Sequence, residues 1–251
     1  MNTTEYEKLR SKIRGMLEGM NCVSEGTHWG EVLKLFTFAS SVHTGKRKGG
    51  QHEFSHQLNM VAYALSMFIP SKFINEEDVA KIVSLILIHD IPEDYPAEFM
   101  AYTGSIGVAE SNNVFLVLDD DSFLAEVLNM SMLLNRYEWQ TRQKMSNDKY
   151  YARVGSTAFT SIVKVIDRIH NLSTMIGVMS SKRIAEYIEE TDKHVFKLIK
   201  AVSREYPSLS QSMESLKSNL NLLMHPLRVI AVTHEHEDPI PVSDIKTDTP
   251  A

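Results

Sequence analysis

The sequence predicts an all-α helical bundle, and three observations carry that expectation. Apolar residues recur at three- and four-residue steps along most of the chain. No stretch of alternating apolar and polar residues competes with that period over any length. The composition, 43% apolar and 23% charged with 11 Gly and 8 Pro in 251 residues, excludes collagen-like, low-complexity and wholly disordered chains. A chain of this length buries about 70–75% of its unfolded surface and needs no covalent staple.

In chain order, the period predicts helices over residues 6–20 and 29–42. From Phe54 the positions Phe54, Leu58, Val61, Leu65 and Phe68 share one face, and Pro70 closes that helix. Met60, Tyr63 and Met67 make its opposite side apolar as well, which predicts burial all round. Asn75 is an N-cap, followed by Glu76, Glu77 and Asp78 where the helix dipole favours acids, and Val79, Ile82, Val83 and Ile86 carry the helix to His89-Asp90.

Residues 97–122, with Gly104, Gly107 and Asp119 to Asp121, read as a loop or lid in which 114–118 forms a short strand. Helical patterns return at 123–137, 148–160, 162–177, 182–205 and 209–224. Residues 1–232 are read as a single domain. The Pro-, Asp- and Thr-rich stretch 233–251 lacks periodic apolar residues and is read as a loose tail.

Cys22, the single cysteine, excludes an internal disulfide framework and a Cys-rich zinc site and fits a reducing compartment, so the expectation is cytoplasmic. No basic N-terminal region leads into an apolar stretch, and apolar runs such as 60–65 are too short for a bilayer, so no membrane association is expected. A net charge of −6 argues against sequence-independent nucleic-acid binding, which needs Lys and Arg spread over a broad surface. A small anion needs only a local basic cluster. A homo-oligomer is compatible with the sequence but not derivable from it.

Four residues stand in or beside apolar helices where an unpaired polar group costs about 1–3 kcal/mol: His56, His89, Asp90 and Asp167. Imidazoles together with carboxylates suit a divalent ion such as manganese, iron or zinc and leave positions open for water. A lone His near an apolar face is commonly structural, so position alone does not decide. On the helix of Asp167, the residues Lys164, Asp167, Asn171 and Thr174 form one polar stripe, with Ile162, Val165, Ile166, Ile169, Leu172 and Ile176 on the far side. Val163 and Met175 flank the stripe, which predicts a pocket wall and not a solvent face.

After His89-Asp90, near-helical geometry brings Glu93 and Asp94 to the side of Asp90, where a carboxylate can orient or deprotonate an attacking water. Lys46, Arg47 and Lys48 with Gly49 and Gly50 form a basic loop ahead of His56, suited to gripping a phosphate.

Taken together these residues resemble the HD superfamily of metal-dependent phosphohydrolases. Three blocks bring the likeness closer to the hydrolase domain of RelA/SpoT-type enzymes. They are Phe38-Ala39 through His43-Thr44-Gly45, Arg47-Lys48 and His56; Leu87-Ile88-His89-Asp90-Ile91-Pro92-Glu93-Asp94; and Val163-Lys164-Val165-Ile166-Asp167-Arg168-Ile169-His170-Asn171-Leu172.

The resemblance implies an HD-type helical bundle that removes pyrophosphate from the 3′ position of guanosine tetra- or pentaphosphate with a manganese ion. It implies His56, His89, Asp90 and Asp167 as ligands and Glu93 and Asp94 as the pair that activates water. Arg47 and Lys48 fall on the substrate side, and Asn171 and Thr174 on the nucleotide pocket. Gln57 follows His56 where that family usually carries Pro, and residues 95–148 have no clear counterpart. Two other readings stay open. One is an HD phosphohydrolase for a deoxynucleoside triphosphate, a nucleoside monophosphate or NADPH, and the other is a nucleotide sensor without turnover.

Overall fold

The computed structural model describes residues 3–23, 28–47, 49–71, 74–105, 108–111, 114–117 and 122–233. It is a helical bundle with one small β-hairpin. Helices α2 (Trp29–Val42) and α3 (Ser55–Phe68) pack on α4 (Glu76–Ile88), with α1 (Thr3–Val23) against α2 and α3, and α9 (Ala158–Ser173) also packs on α4. The whole run Ile82 to Ile88 is buried, so α4 is the helix enclosed all round. On α3, by contrast, Tyr63 and Met67 are only half-buried, and the expectation of complete burial there is corrected. A helix apolar on every side needs neighbours on every side, and α4 has them in α2, α3, α7 and α9.

Start signals in the sequence act as expected. The Asn75 side chain accepts from the Asp78 backbone N–H (2.7 Å) and caps α4. Asn75→Ala is expected to cost about 1 kcal/mol in chemical denaturation. Ser146 and Thr157 cap α8 (Asn147–Val154) and α9 in the same way, which moves the boundary expected near 160–162 back to Gly155. A side chain at Gly155 would sit 3.1 Å from the Tyr151 carbonyl and 3.2 Å from a Leu198 methyl, a tight fit that favours glycine at this turn between two helices.

The 97–122 loop expectation is partly overturned. Residues Pro96–Ser105 form α6, with Phe99 and Thr103 buried, while β1 (Val108–Ser111) and β2 (Val114–Val117) pair antiparallel with Val108 opposite Val117. The strand expected at 114–118 is therefore β2. The pattern of α6 was hard to see because its inward side rests on few residues: Phe99, edge-on to Trp139, and Tyr102, stacked on Phe38 at 4.1 Å between ring centres. Asp119 to Asp121 lie outside the described residues.

After α7 (Phe123–Leu134) and an irregular segment, the expected helix 182–205 is one continuous stretch with a π turn inside it. It runs as α10 (Ser181–Glu190), the π turn Thr191–Val195, and α11 (Phe196–Glu205). Helix α12 (Ser210–Thr233) runs past the expected stop at 224 and through Pro226. Its buried positions Met213, Leu216, Leu220, Met224, Leu227 and Ala231 keep their spacing across the proline, so packing on α9, α10 and α11 outweighs the lost hydrogen bond. Residue 233 thus ends a helix, and the tail expectation for 234–251 lies outside the described residues. Among the described residues no helix is long and apolar enough to cross a membrane.

Candidate metal centre

Three separate helical regions deliver four polar groups to one point. His56 enters from the first turn of α3, and Asp167 from the middle of α9. His89 closes α4, and Asp90 opens the short helix α5 (Ile91–Asp94). His56 Nε2 lies 3.2 Å from Asp167 Oδ1 and 3.8 Å from Asp90 Oδ2, and His89 Nε2 lies 3.1 Å from Asp90 Oδ2 and 3.9 Å from Asp167 Oδ1. Donor atoms bound at about 2.1 Å around one ion stand about 3–4 Å from each other, which is the spacing here. His56, His89 and Asp167 are buried and form a group that could hold a metal ion. Asp90 stands beside them with a side chain 38% exposed.

The hydrogen bonds behind these donors aim them inward. His89 Nδ1 meets the Ile86 carbonyl at 2.8 Å, which leaves Nε2 buried and without a hydrogen bond among the described residues. A buried imidazole nitrogen without a hydrogen bond, facing two carboxylates and its ring fixed from behind by a carbonyl, is what a ligand to a cation requires, so the residues fit such an ion. His56 Nδ1 lies 2.8 Å from His170 Nδ1. Burial, with the charges of His56 and Arg47, lowers the His170 pKa to about 3, so His170 is neutral and can accept the His56 proton. When His170 accepts from His56 Nδ1, an unprotonated Nε2 is turned toward the carboxylates, the arrangement a metal ligand requires. Asp167 accepts from Lys164 Nζ (2.8 Å) and from the Asn171 amide (2.6 Å).

The electrostatics follow from crowding. Burial opposes the charge of Asp167, but Lys164 and the two imidazoles outweigh it and hold the carboxyl well below its usual range. Burial lowers the His56 pKa despite Asp167 and Asp90. At His89 the same penalty is overcome by Asp90 and then Asp167, and its pKa rises to about 9. The cluster therefore attracts one positive charge, and a divalent ion offers it more.

Around this point opens a cavity of about 300 Å³. Of the residues singled out in the sequence, Arg47, Glu93, Asp94, Lys164 and Asn171 line it together with the four ligand candidates. Glu93 Oε2 accepts from the Arg136 backbone N–H (2.9 Å), so its position is held from outside α5. Packed surroundings, then Asp90, Glu93 and Glu53, push the Asp94 carboxyl up to about 6, although this residue is solvent-exposed and water screens part of the shift. Arg47 donates to the Asn171 side-chain oxygen (3.0 Å) and reaches the cavity from the basic loop.

Lys46 is exposed and forms a backbone bridge to His52, and Thr174 lines a side recess, its hydroxyl bonded to the His170 and Asn171 carbonyls. Lys48 lies outside the described residues. Lys164, of the polar stripe read as a pocket wall, lines the cavity and is bonded to Asp167, whose carboxylate it holds. The basic loop itself closes through Gly45, where an added Cβ would sit 2.9 Å from the Glu53 carboxylate that also accepts from the Tyr95 hydroxyl. Gln57 is buried, and its side-chain amide meets His43 Nε2 at 3.2 Å.

Several cavity residues carry no signal in the sequence. Arg136 and Lys144 come from the segment between α7 and α8, Tyr150 from α8, and Arg183 and Tyr187 from one face of α10. Behind them Glu190, at the start of the π turn, is bonded to Arg136 and to the Tyr151 hydroxyl (2.8 Å) and pairs with Arg168 (3.1 Å). Arg168, a charge on the buried side of α9, was the one visible hint of this network.

Burial penalises the Glu190 charge, but Arg168 and Arg136 prevail and lower its pKa from 4.5 to about 2. A depressed acid contributes stability that is present above about pH 4.5 and lost as the pH falls through about 2. Metal-free protein is therefore expected to lose about 3 kcal/mol across that window that Glu190→Gln does not lose, read by urea denaturation of both. Equal pH slopes would refute it.

No family model matches the chain, and no curated protein matches it.

Proposed function

We propose that the chain is a manganese-dependent phosphohydrolase that removes the 3′-pyrophosphate of guanosine tetra- or pentaphosphate, leaving GDP or GTP. The observation that carries this reading is the convergence of two imidazoles and two carboxylates beside an acid pair and several cations in one cavity. His56, His89, Asp90 and Asp167 are the ligands in this reading, and their mixed nitrogen and oxygen donors suit manganese. A divalent ion held there supplies Lewis acidity toward a phosphoryl oxygen and the attacking water.

The residues of the chain do the rest. Glu93 and Asp94 orient the water and take its proton as its oxygen bonds to the phosphorus next to the ribose. The bond from that phosphorus to the 3′ oxygen breaks, and the proton taken up by the acid pair passes to that oxygen, which leaves as a hydroxyl. Arg47, Arg136, Lys144 and Arg183, which all line the cavity, offset the negative charge of the pyrophosphate. Asn171, tied to both Asp167 and Arg47, keeps the cationic wall in register with the ligands.

The test is incubation of the purified full chain with manganese and guanosine tetraphosphate, with GDP and pyrophosphate as the expected products. A panel of deoxynucleoside triphosphates, nucleoside monophosphates and NADPH run in parallel decides the substrate. Turnover of one of these alone moves the assignment to another nucleotide. Tight nucleotide binding without turnover in any divalent metal overturns the enzyme reading in favour of a sensor.

A further inference from the structure

A second cavity, about 760 Å³, shares only Tyr137 with the one around the metal ligands, which measures about 300 Å³. It is a chamber and not a face, with walls from α4, α7, the segment after α7, α9 and the turn before α12. A protein partner needs about 800 Å² of surface on each side, more than such a chamber presents, whereas small-molecule sites span about 300–1,000 Å³.

Tyr137, Trp139 and Phe159 bring rings to the lining, and Met130, Met132 and Leu133, all on α7, add two thioethers and a branched chain. Rings and thioethers favour contact with an aromatic body. The ring wall is held from behind. Trp139 stands edge-on to Phe99 at 6.2 Å between ring centres, and the Arg142 guanidinium lies over both Tyr137 and Trp139, 5.6 and 5.9 Å from the ring centres. A wall built in advance lowers the ordering cost of binding.

The charges on these walls call for no ion. Glu126 pairs with Lys81 at 2.8 Å, and Glu138 pairs with Lys149. Burial raises the Asp78 pKa, and Lys81 is the largest charge opposing that rise. Lys81 also lies over the Phe159 ring, 5.8 Å from its centre, so an incoming cation would duplicate it. An incoming anion would meet Asp78, Glu126 and Glu138, and Arg153 does not receive it, because its Nε and Nη2 are turned into the protein and buried.

We propose that this chamber binds a neutral aromatic molecule of about two or three rings, its flat body against Tyr137, Trp139, Phe159 and the α7 thioethers. The site is separate from phosphate hydrolysis, and its test uses no turnover.

N-phenyl-1-naphthylamine, a neutral ring system whose emission rises in apolar surroundings, is titrated into the purified full chain and excited outside the tryptophan band. Its counterpart 1-anilinonaphthalene-8-sulfonate carries the same rings and one negative charge. Saturable binding at one site per chain is expected for the neutral probe, at least about tenfold tighter than for the sulfonate, because the chamber offers an anion no partner. Leu133, a half-buried wall residue, is replaced in Leu133→Trp, which is expected to fill the chamber and weaken the neutral probe about tenfold or more with the melting temperature unchanged. Phe159→Ala removes a ring from another wall and is expected to weaken it several-fold. The comparison of the two probes on the unaltered chain stands whether or not either variant folds. No saturable binding of the neutral probe, a sulfonate bound as tightly, or an affinity unchanged in both variants overturns the proposal.

Discussion

Asp167→Asn is expected to abolish manganese-induced thermal stabilisation and to lower turnover by about a thousandfold or more, on the scale of removing a principal electrostatic stabiliser. Asp167 receives Lys164 and Asn171 on one side and faces both imidazoles on the other, so no neighbouring carboxylate can replace it. The substitution also leaves the Lys164 ammonium without its charge partner, and breaking a buried pair costs about 3–5 kcal/mol. The double variant Asp167→Asn, Lys164→Met removes that unpaired charge. It is expected to regain stability without regaining the metal, which separates loss of a ligand from loss of fold. Metal content by elemental analysis and melting curves with and without manganese read the result. Wild-type stabilisation by manganese in either variant contradicts the centre.

The second large effect is expected at Glu93. Its carboxylate lines the cavity while accepting from the Arg136 backbone, and glutamine retains an oxygen for that bond. Glu93→Gln should therefore keep metal content and melting temperature and lower kcat by about 10²–10⁴-fold with KM little changed, the range for removal of a general base. A kcat within a few-fold of wild type would remove Glu93 from the chemistry and leave Asp94 as the acceptor of the proton.

Much of the centre was legible in the sequence because helical spacing fixes which side chains share a face. The stripe Lys164, Asp167, Asn171 and Thr174 between Val163 and Met175 predicted a pocket wall, and in the fold Val163 and Met175 are buried while Lys164, Asp167 and Asn171 line the cavity and Thr174 lines a side recess. Ile176, assigned to the apolar side, falls beyond the end of α9 and is exposed. His89-Asp90 follows the same logic, standing at the end of the strongly apolar run Leu85 to Ile88.

The opposite wall was not legible. Arg136, Lys144 and Arg183 reach the cavity through chain connections that no local period encodes, and Glu190 is placed by a π turn that widens the helix where it must meet two arginines. Irregular backbone is set by tertiary contacts, and a sequence shows those only after the neighbours are known. The same holds for α6, whose short buried side gives too few positions for a pattern to stand out.

The grip on α5 has a consequence for how this chain could vary. The Asn135 and Arg142 side chains donate to the Pro92 carbonyl, Arg142 also donates to the Glu93 carbonyl, and Arg136 reaches the Glu93 carboxylate. Arg142 makes these bonds from a left-handed backbone conformation (φ 54°), a cost accepted only where surrounding contacts over-determine it. Both ends of the excursion that carries the β-hairpin are thus riveted together at its base. That rivet sets the position of the acid pair from the chain at the end of α7 and beyond it, so Asn135, Arg136 and Arg142 govern it together.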